Sequence, residues 1–141
     1  MKNITKANWL DGMVFDVELN GHHFLIDADD KVGGTDKGPR PKGLVLSGLA
    51  GCTGMDVVSI LKKMKIENYK LEVSVDAELT DEHPKIYDKI NIYFIFSGEN
   101  LPISKLKRAV ELSETRYCGV SEMLRKTSDI KTKILLNGEE I

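Results

Sequence analysis

Apolar positions in this chain first alternate, then cover nearly every face of one long segment, then alternate again. In "MVFDVELNGHHFLIDA", two apolar runs flank Asn20-Gly21. Asn-Gly accepts the two positive φ angles of a type I′ turn, so Met13–Leu19 and His22–Asp27 are expected to pair as a hairpin. "ITKANWLDG" ahead of them predicts a further strand that ends at the Asp11-Gly12 turn. "DADDKVGGTDKGPRP" follows, with Gly33, Gly34, Gly38, Pro39 and Pro41, and reads as a loop. A loop of that length in a compact domain points to function as readily as to a plain linker.

Pro41 then opens "KGLVLSGLAGCTGMDVVSILKKMKI". Proline fits a first helical turn, where its missing N–H is not needed. A helix that is apolar all round is expected to be buried. About 24 residues would reach about 36 Å, the width of a small domain, with a polar end at Lys62–Lys65. "YKLEVSVDAELT" has period two, "DEHPK" is a turn, and "IYDKINIYFIFSG" supplies a second β-arm. The location of His83 and Pro84 in that turn gives them a structural reading, and Trp9 reads as a core or edge contact. "LPISKLKRAVELSETRYC" has helical spacing at Ile103, Leu106, Val110 and Leu112 and is broken at Gly119. "VSEMLRKT" predicts a short second helix, and "DIKTKILLNGEEI" a closing strand with a turn at Asn137-Gly138. Strands and helices are segregated, which predicts an α+β fold with an antiparallel sheet.

The chain has 141 residues and is read as a single domain, 1–141. Its charged fraction of 30% and net charge of -2 leave no basic excess for nucleic acid. No apolar run is read as approaching the roughly 18 residues of a membrane span, and "MKNITKANWLDG" has no apolar leader segment. The expectation is a cytoplasmic protein with no membrane partner. His22, His23 and His83 are scattered and there is no C-x-x-C, so neither a metal nor another cofactor is expected.

Gly48, Gly51 and Gly54 lie inside the long helix, where each costs about 0.8–1 kcal/mol relative to alanine. Spaced by three, they form a shallow groove that lets another backbone approach, including a copy of the helix in a second chain. Cys52 sits beside the groove. A buried cysteine is ordinarily a small apolar filler, and a reactive one needs positive charge or a helix N-terminus nearby. Cys52 is about three turns into the helix, and Asp56, one turn on, is expected to raise its pKa. Cys118 follows Arg116 and Tyr117 at the junction of two helices.

"GPRPKGLVLSGLAGCTGMDVV" resembles the central-helix motif of the OsmC/Ohr superfamily, "YCGVSEML" its second cysteine motif, and "DEHPKIYDKINIYFIFSG" the hairpin between them. The resemblance covers most of the chain in order. It implies an α+β fold in which antiparallel sheets wrap a long buried central helix, and an intertwined homodimer with two such helices back to back. It also implies a thiol-dependent peroxidase for organic hydroperoxides. Cys52 matches the peroxidatic cysteine and Cys118 the resolving one, with a dithiol such as a lipoylated protein as reductant. The family's catalytic arginine has Arg40 as its only candidate before Cys52. The glutamate that pairs with that arginine is missing: Lys42 and Gly43 occupy its place, and no glutamate lies between Arg40 and Cys52. That departure keeps an alternative open, a protein on the same fold that binds a small acyl or electrophilic molecule with little or no turnover.

Overall fold

The computed structural model describes residues 1–141. The chain forms two compact units, Met1–Val45 and Leu46–Ile141.

The first unit is an antiparallel three-stranded sheet, β1 (Thr5–Asp11), β2 (Val14–Leu19) and β3 (His22–Ile26), in that order. Leu19 pairs with His22 across Asn20-Gly21, whose φ angles are 53° and 79°, the turn that the dipeptide predicts. Trp9 is not a core residue. It stands 66% exposed on edge strand β1, where its Nε1 donates to the Gly12 carbonyl.

The loop after β3 is tightly organised around Asp27, which is buried. Its carboxylate accepts the N–H groups of Ala28 (2.7 Å), Thr35 (3.0 Å) and Lys37 (3.0 Å) and the Thr35 hydroxyl (3.0 Å). Gly34 passes so close to this turn that a Cβ there would stand 1.7 Å from the Ala28 carbonyl oxygen. The Lys37 N–H above all, then those of Thr35 and Ala28, hold the Asp27 carboxyl down at about 2 against the opposing effect of burial. A carboxyl with a depressed folded-state pKa stabilises the fold above its unfolded value and loses that contribution as pH falls through the folded one. Urea unfolding followed from about pH 5 to about pH 2 is therefore expected to show a fall in stability that is smaller in Asp27→Asn.

Helix α1 (Gly43–Lys63) begins two residues after Pro41. It ends where Lys65 turns left-handed (φ 61°), with Lys65 N–H on the Lys62 carbonyl and Ile66 N–H on that of Leu61. This is a Schellman closure made without the usual glycine. By length and composition α1 is sufficient to cross a membrane, contrary to the expectation from apolar runs. Its stripe Leu49, Thr53, Val57 and Leu61 is instead buried in the core of the second unit.

That core is built on a four-stranded sheet in the order β4 (Lys70–Leu79), β5 (Tyr87–Ser97), β6 (Asp129–Leu136), β7 (Glu139–Glu140). On central strand β5 the alternation is strict: Ile90, Ile92, Phe94 and Phe96 are buried and the residues between them are less so. Leu71, Val73, Val75 and Ala77 of β4 pack against the same core. The sheet is not wholly antiparallel, because β5 and β6 pair in parallel. Between them run helix α2 (Ile103–Leu112), a π-helical turn (Ser113–Tyr117) and helix α3 (Gly119–Arg125). Such a helical crossover carries the chain back to the end of the sheet where β5 began, and a parallel neighbour results. On α2, Leu106, Ala109 and Val110 are buried, whereas Ile103, the first residue of the helix, is 45% exposed.

Helix α1 is buried on one stripe only, not all round. Met55 and Val58 are exposed, and a Cβ at Gly48 or Gly51 would meet nothing within 4 Å. Only Gly54 has a close neighbour, Val73 Cγ2 at 3.2 Å from the position of its missing Cβ. Within this chain, then, the glycine groove is filled at one of its three positions.

Candidate functional site

The two cysteines meet within the second unit. The Sγ atoms of Cys52 and Cys118 and a carboxylate oxygen of Asp56 lie within 4.8 Å of one another. Cys52 and Asp56 are one helical turn apart, and residues at i and i+4 share a helix face. Cys118 comes from the opposite end of the sequence by a local device. The π-helical turn closes with the Cys118 N–H on the Ser113 carbonyl at 2.8 Å, and Cys118 becomes the N-cap of α3. Its sulfur accepts the Ser121 N–H at 3.4 Å, and the Ser121 hydroxyl donates to the Cys118 carbonyl at 3.0 Å.

A buried polar chain fixes the carboxylate. The Ser113 hydroxyl donates to Asp56 Oδ2 at 3.0 Å. With its proton so committed, Ser113 Oγ is the acceptor in its 2.9 Å bond with the Thr53 hydroxyl. Thr53 and Ser113 are both fully buried, so this bond ties α1 to the turn that presents Cys118.

Cys52 is half-buried and Cys118 is buried, and both are free thiols. Burial pushes the Cys52 thiol up, and the Cys118 sulfur and the Asp56 charge push it the same way. A backbone N–H at Val120, in the first turn of α3, opposes them. The thiol is thus protonated at neutral pH, and its nucleophilicity is expected to rise with pH. In reduced, chelator-treated protein, the rate of Cys52 alkylation by iodoacetamide should climb about tenfold per pH unit between about pH 7 and 8.5, with no plateau. Peptide mass mapping would follow it, and a plateau near neutrality would show an activated thiolate.

Arg40 lies in the first unit and is engaged by its own loop. Its guanidinium pairs with Asp36 at 2.8 Å and with Asp29 at 3.8 Å, and donates to the Gly38 carbonyl at 2.9 Å. His83 lies in the turn between β4 and β5, as expected from the sequence. Beside Asp56 opens a cavity of about 290 Å³, lined by Ile60, Met64, Leu112 and Tyr117 together with Lys63 and Ser59.

Asp56 was legible in the sequence only as a neighbour that disfavours the thiolate. The contribution of Ser113 was not legible at all, since it depends on the π-helical turn. The Val120 and Ser121 N–H groups follow from the short helix predicted after Cys118, once that helix is seen to start there.

The sequence matches the model of OsmC-like proteins over residues 34–133. It is 36% identical over 126 residues to Protein YhfA of Escherichia coli K12, covering 89% of this chain and 91% of that protein. Among solved structures it is similar to a hypothetical protein from Aquifex aeolicus VF5, with a TM-score of 0.85, 25% identity and 97% of each chain covered. It also shares its fold with an organic hydroperoxide resistance protein OsmC from Legionella pneumophila, at a TM-score of 0.70 and 18% identity, over 96% of this chain and 97% of that one.

Proposed function

As this chain belongs to the OsmC-like protein family, we propose that it is a thiol-dependent peroxidase that reduces organic hydroperoxides at Cys52 and Cys118. The observation that carries this reading is the approach of the two sulfurs to within 4.8 Å of each other, from residues far apart in sequence. The family's redox character and the hydroperoxide resistance named for the Legionella relative support it.

The chemistry runs in three steps. The Cys52 thiolate attacks the terminal oxygen of the hydroperoxide, the O–O bond breaks, and the alkoxide leaves as an alcohol after taking a proton. Sulfur gives up two electrons and becomes a sulfenic acid. Cys118 then attacks that sulfur, an S–S bond forms, and water leaves. An external dithiol, such as a protein-bound lipoyl group, restores both thiols by exchange and is itself oxidised to a disulfide. The cavity beside Asp56, with Ile60, Met64 and Leu112 on its wall, suits an apolar organic peroxide better than hydrogen peroxide. Arg40 serves this cycle only if it leaves Asp36. A homodimer seated along α1 would cover Gly48, Gly51, Met55 and Val58, which this chain leaves open.

Intact mass of the reduced protein, before and after one equivalent of cumene hydroperoxide, tests the proposal. Loss of about 2 mass units, mapped to a Cys52–Cys118 peptide, is the expected result. An unchanged mass would sink it and leave the cavity to a ligand that is bound without turnover.

A further inference from the structure

We propose that the reduced protein binds one Zn²⁺ per chain through Cys52 Sγ, Cys118 Sγ and an Asp56 carboxylate oxygen, so that metal occupancy and the disulfide exclude each other. The inference uses the same two sulfurs as the peroxidase reading but requires no turnover.

The donor set carries the argument. Two thiolates and a carboxylate are the ligand types zinc takes, and three protein ligands with a fourth position left for water make an open site. All three donor atoms already lie within 4.8 Å of one another. A tetrahedral ion, with Zn–S about 2.3 Å and Zn–O about 2.0–2.2 Å, places its donors roughly 3.5–3.8 Å apart. Closing the triangle therefore shortens the donor separations by no more than about 1.3 Å.

Outer partners are in place as well. Protein zinc ligands are held by hydrogen bonds from a surrounding shell. Asp56 Oδ2 receives the Ser113 hydroxyl at 3.0 Å, which leaves its other oxygen free of side-chain partners, and Cys118 Sγ receives the Ser121 N–H at 3.4 Å. The cavity of about 290 Å³ reaches the site on its Asp56 side. Rules of ligand spacing along the sequence do not find such a site, because Cys118 joins the Cys52-x-x-x-Asp56 pair only through the fold.

Zinc takes cysteine sulfur as thiolate, so the bound ion is surrounded by three anionic donors. A disulfide has no thiolate to offer. Zinc is not redox-active, so a hydroperoxide that draws two electrons from the sulfurs joins them to each other and expels the ion.

The test titrates the full-length protein, reduced with a phosphine, with Co²⁺ and with Zn²⁺ against a chromophoric chelator. One Zn²⁺ per chain and a cobalt–thiolate charge-transfer band are expected. Both should vanish after oxidation by diamide and return on reduction, a control that needs neither a variant nor peroxidase activity. Asp56→Asn, with its fold checked by circular dichroism, should weaken zinc binding by at least about tenfold, the lower end of what loss of even an outer partner costs. Absence of the cobalt band overturns the proposal. So does binding that survives diamide, which marks an adventitious surface ion, or an affinity unchanged in Asp56→Asn. A protein that consumes hydroperoxide but takes no zinc loses this inference and keeps its peroxidase; one that takes zinc and ignores hydroperoxide does the reverse.

Discussion

Replacing Cys52 with serine is expected to lower organic hydroperoxide consumption by more than about a thousandfold, the scale on which loss of a nucleophile acts. Serine keeps the size of the side chain, so the half-buried position on α1 still packs, but an alkoxide is not available at neutral pH to attack the peroxide. Cys118→Ser should give a different defect. The first attack survives, since the Cys52 sulfur is untouched, and a single turnover of alcohol should form. Without a resolving thiol the sulfenic acid persists and proceeds to sulfinic acid, about 32 mass units above the thiol, in excess peroxide. Steady-state peroxide consumption with a dithiol, together with intact mass after one equivalent, separates the two variants. Equal rates in wild type and Cys52→Ser would remove Cys52 from the chemistry. A Cys118→Ser protein that still closes a disulfide within the chain cannot exist, because only two cysteines are present.

Phe94→Ala is expected to destabilise the second unit by about 3–5 kcal/mol, the range for truncating a buried aromatic. Phe94 has no exposed surface and lies on β5, the strand flanked by β4 on one side and β6 on the other. Its ring is part of the same core as Leu49, Val57 and Leu61 of α1 and Leu106 and Val110 of α2. A cavity there loosens the helix that carries Cys52 and the helix that leads to Cys118 at once. Urea unfolding monitored by circular dichroism measures the effect. Ile103→Ser provides the contrast: that side chain is 45% exposed, and the change should stay near the 0.5 kcal/mol typical of surface substitutions. A loss below about 1 kcal/mol at Phe94 would mean the core is packed differently.

The peroxidase and zinc readings share an electrostatic problem. Three groups that become anionic are gathered at one point, and the only cation the sequence suggests, Arg40, is held by Asp36 and Asp29 in its own loop. In the reduced protein the difficulty is met by keeping Cys52 protonated, as burial and the neighbouring sulfur dictate. A peroxide then encounters a thiol that must lose its proton first, which is why alkylation and oxidation are both expected to quicken as pH rises. A divalent cation meets the same difficulty by neutralising the charge.

The sequence by itself determined what depends on neighbours along the chain. Asn20-Gly21 and Asn137-Gly138 each tolerate two positive φ angles, so the first hairpin and the closing turn were legible from the dipeptides, while the pairing of β7 with β6 was not. Alternation through Ile90, Ile92, Phe94 and Phe96 marked a strand with one buried face, because side chains of a strand point to opposite sides in turn. Two motifs around Cys52 and Cys118 were sufficient to name the family. Tertiary structure decided what depends on partners distant in sequence. The parallel pairing of β5 with β6 follows from the crossover through α2 and α3, which no residue of either strand encodes. Helix α1 is apolar on most faces, yet only the stripe facing its own sheet is buried, since composition states what a face would tolerate and not what covers it. Asp27 and Asp56 are both single aspartates in the sequence. The fold buries one under three backbone N–H groups and sets the other against two sulfurs and a serine, and that difference in surroundings separates a loop anchor from a site residue.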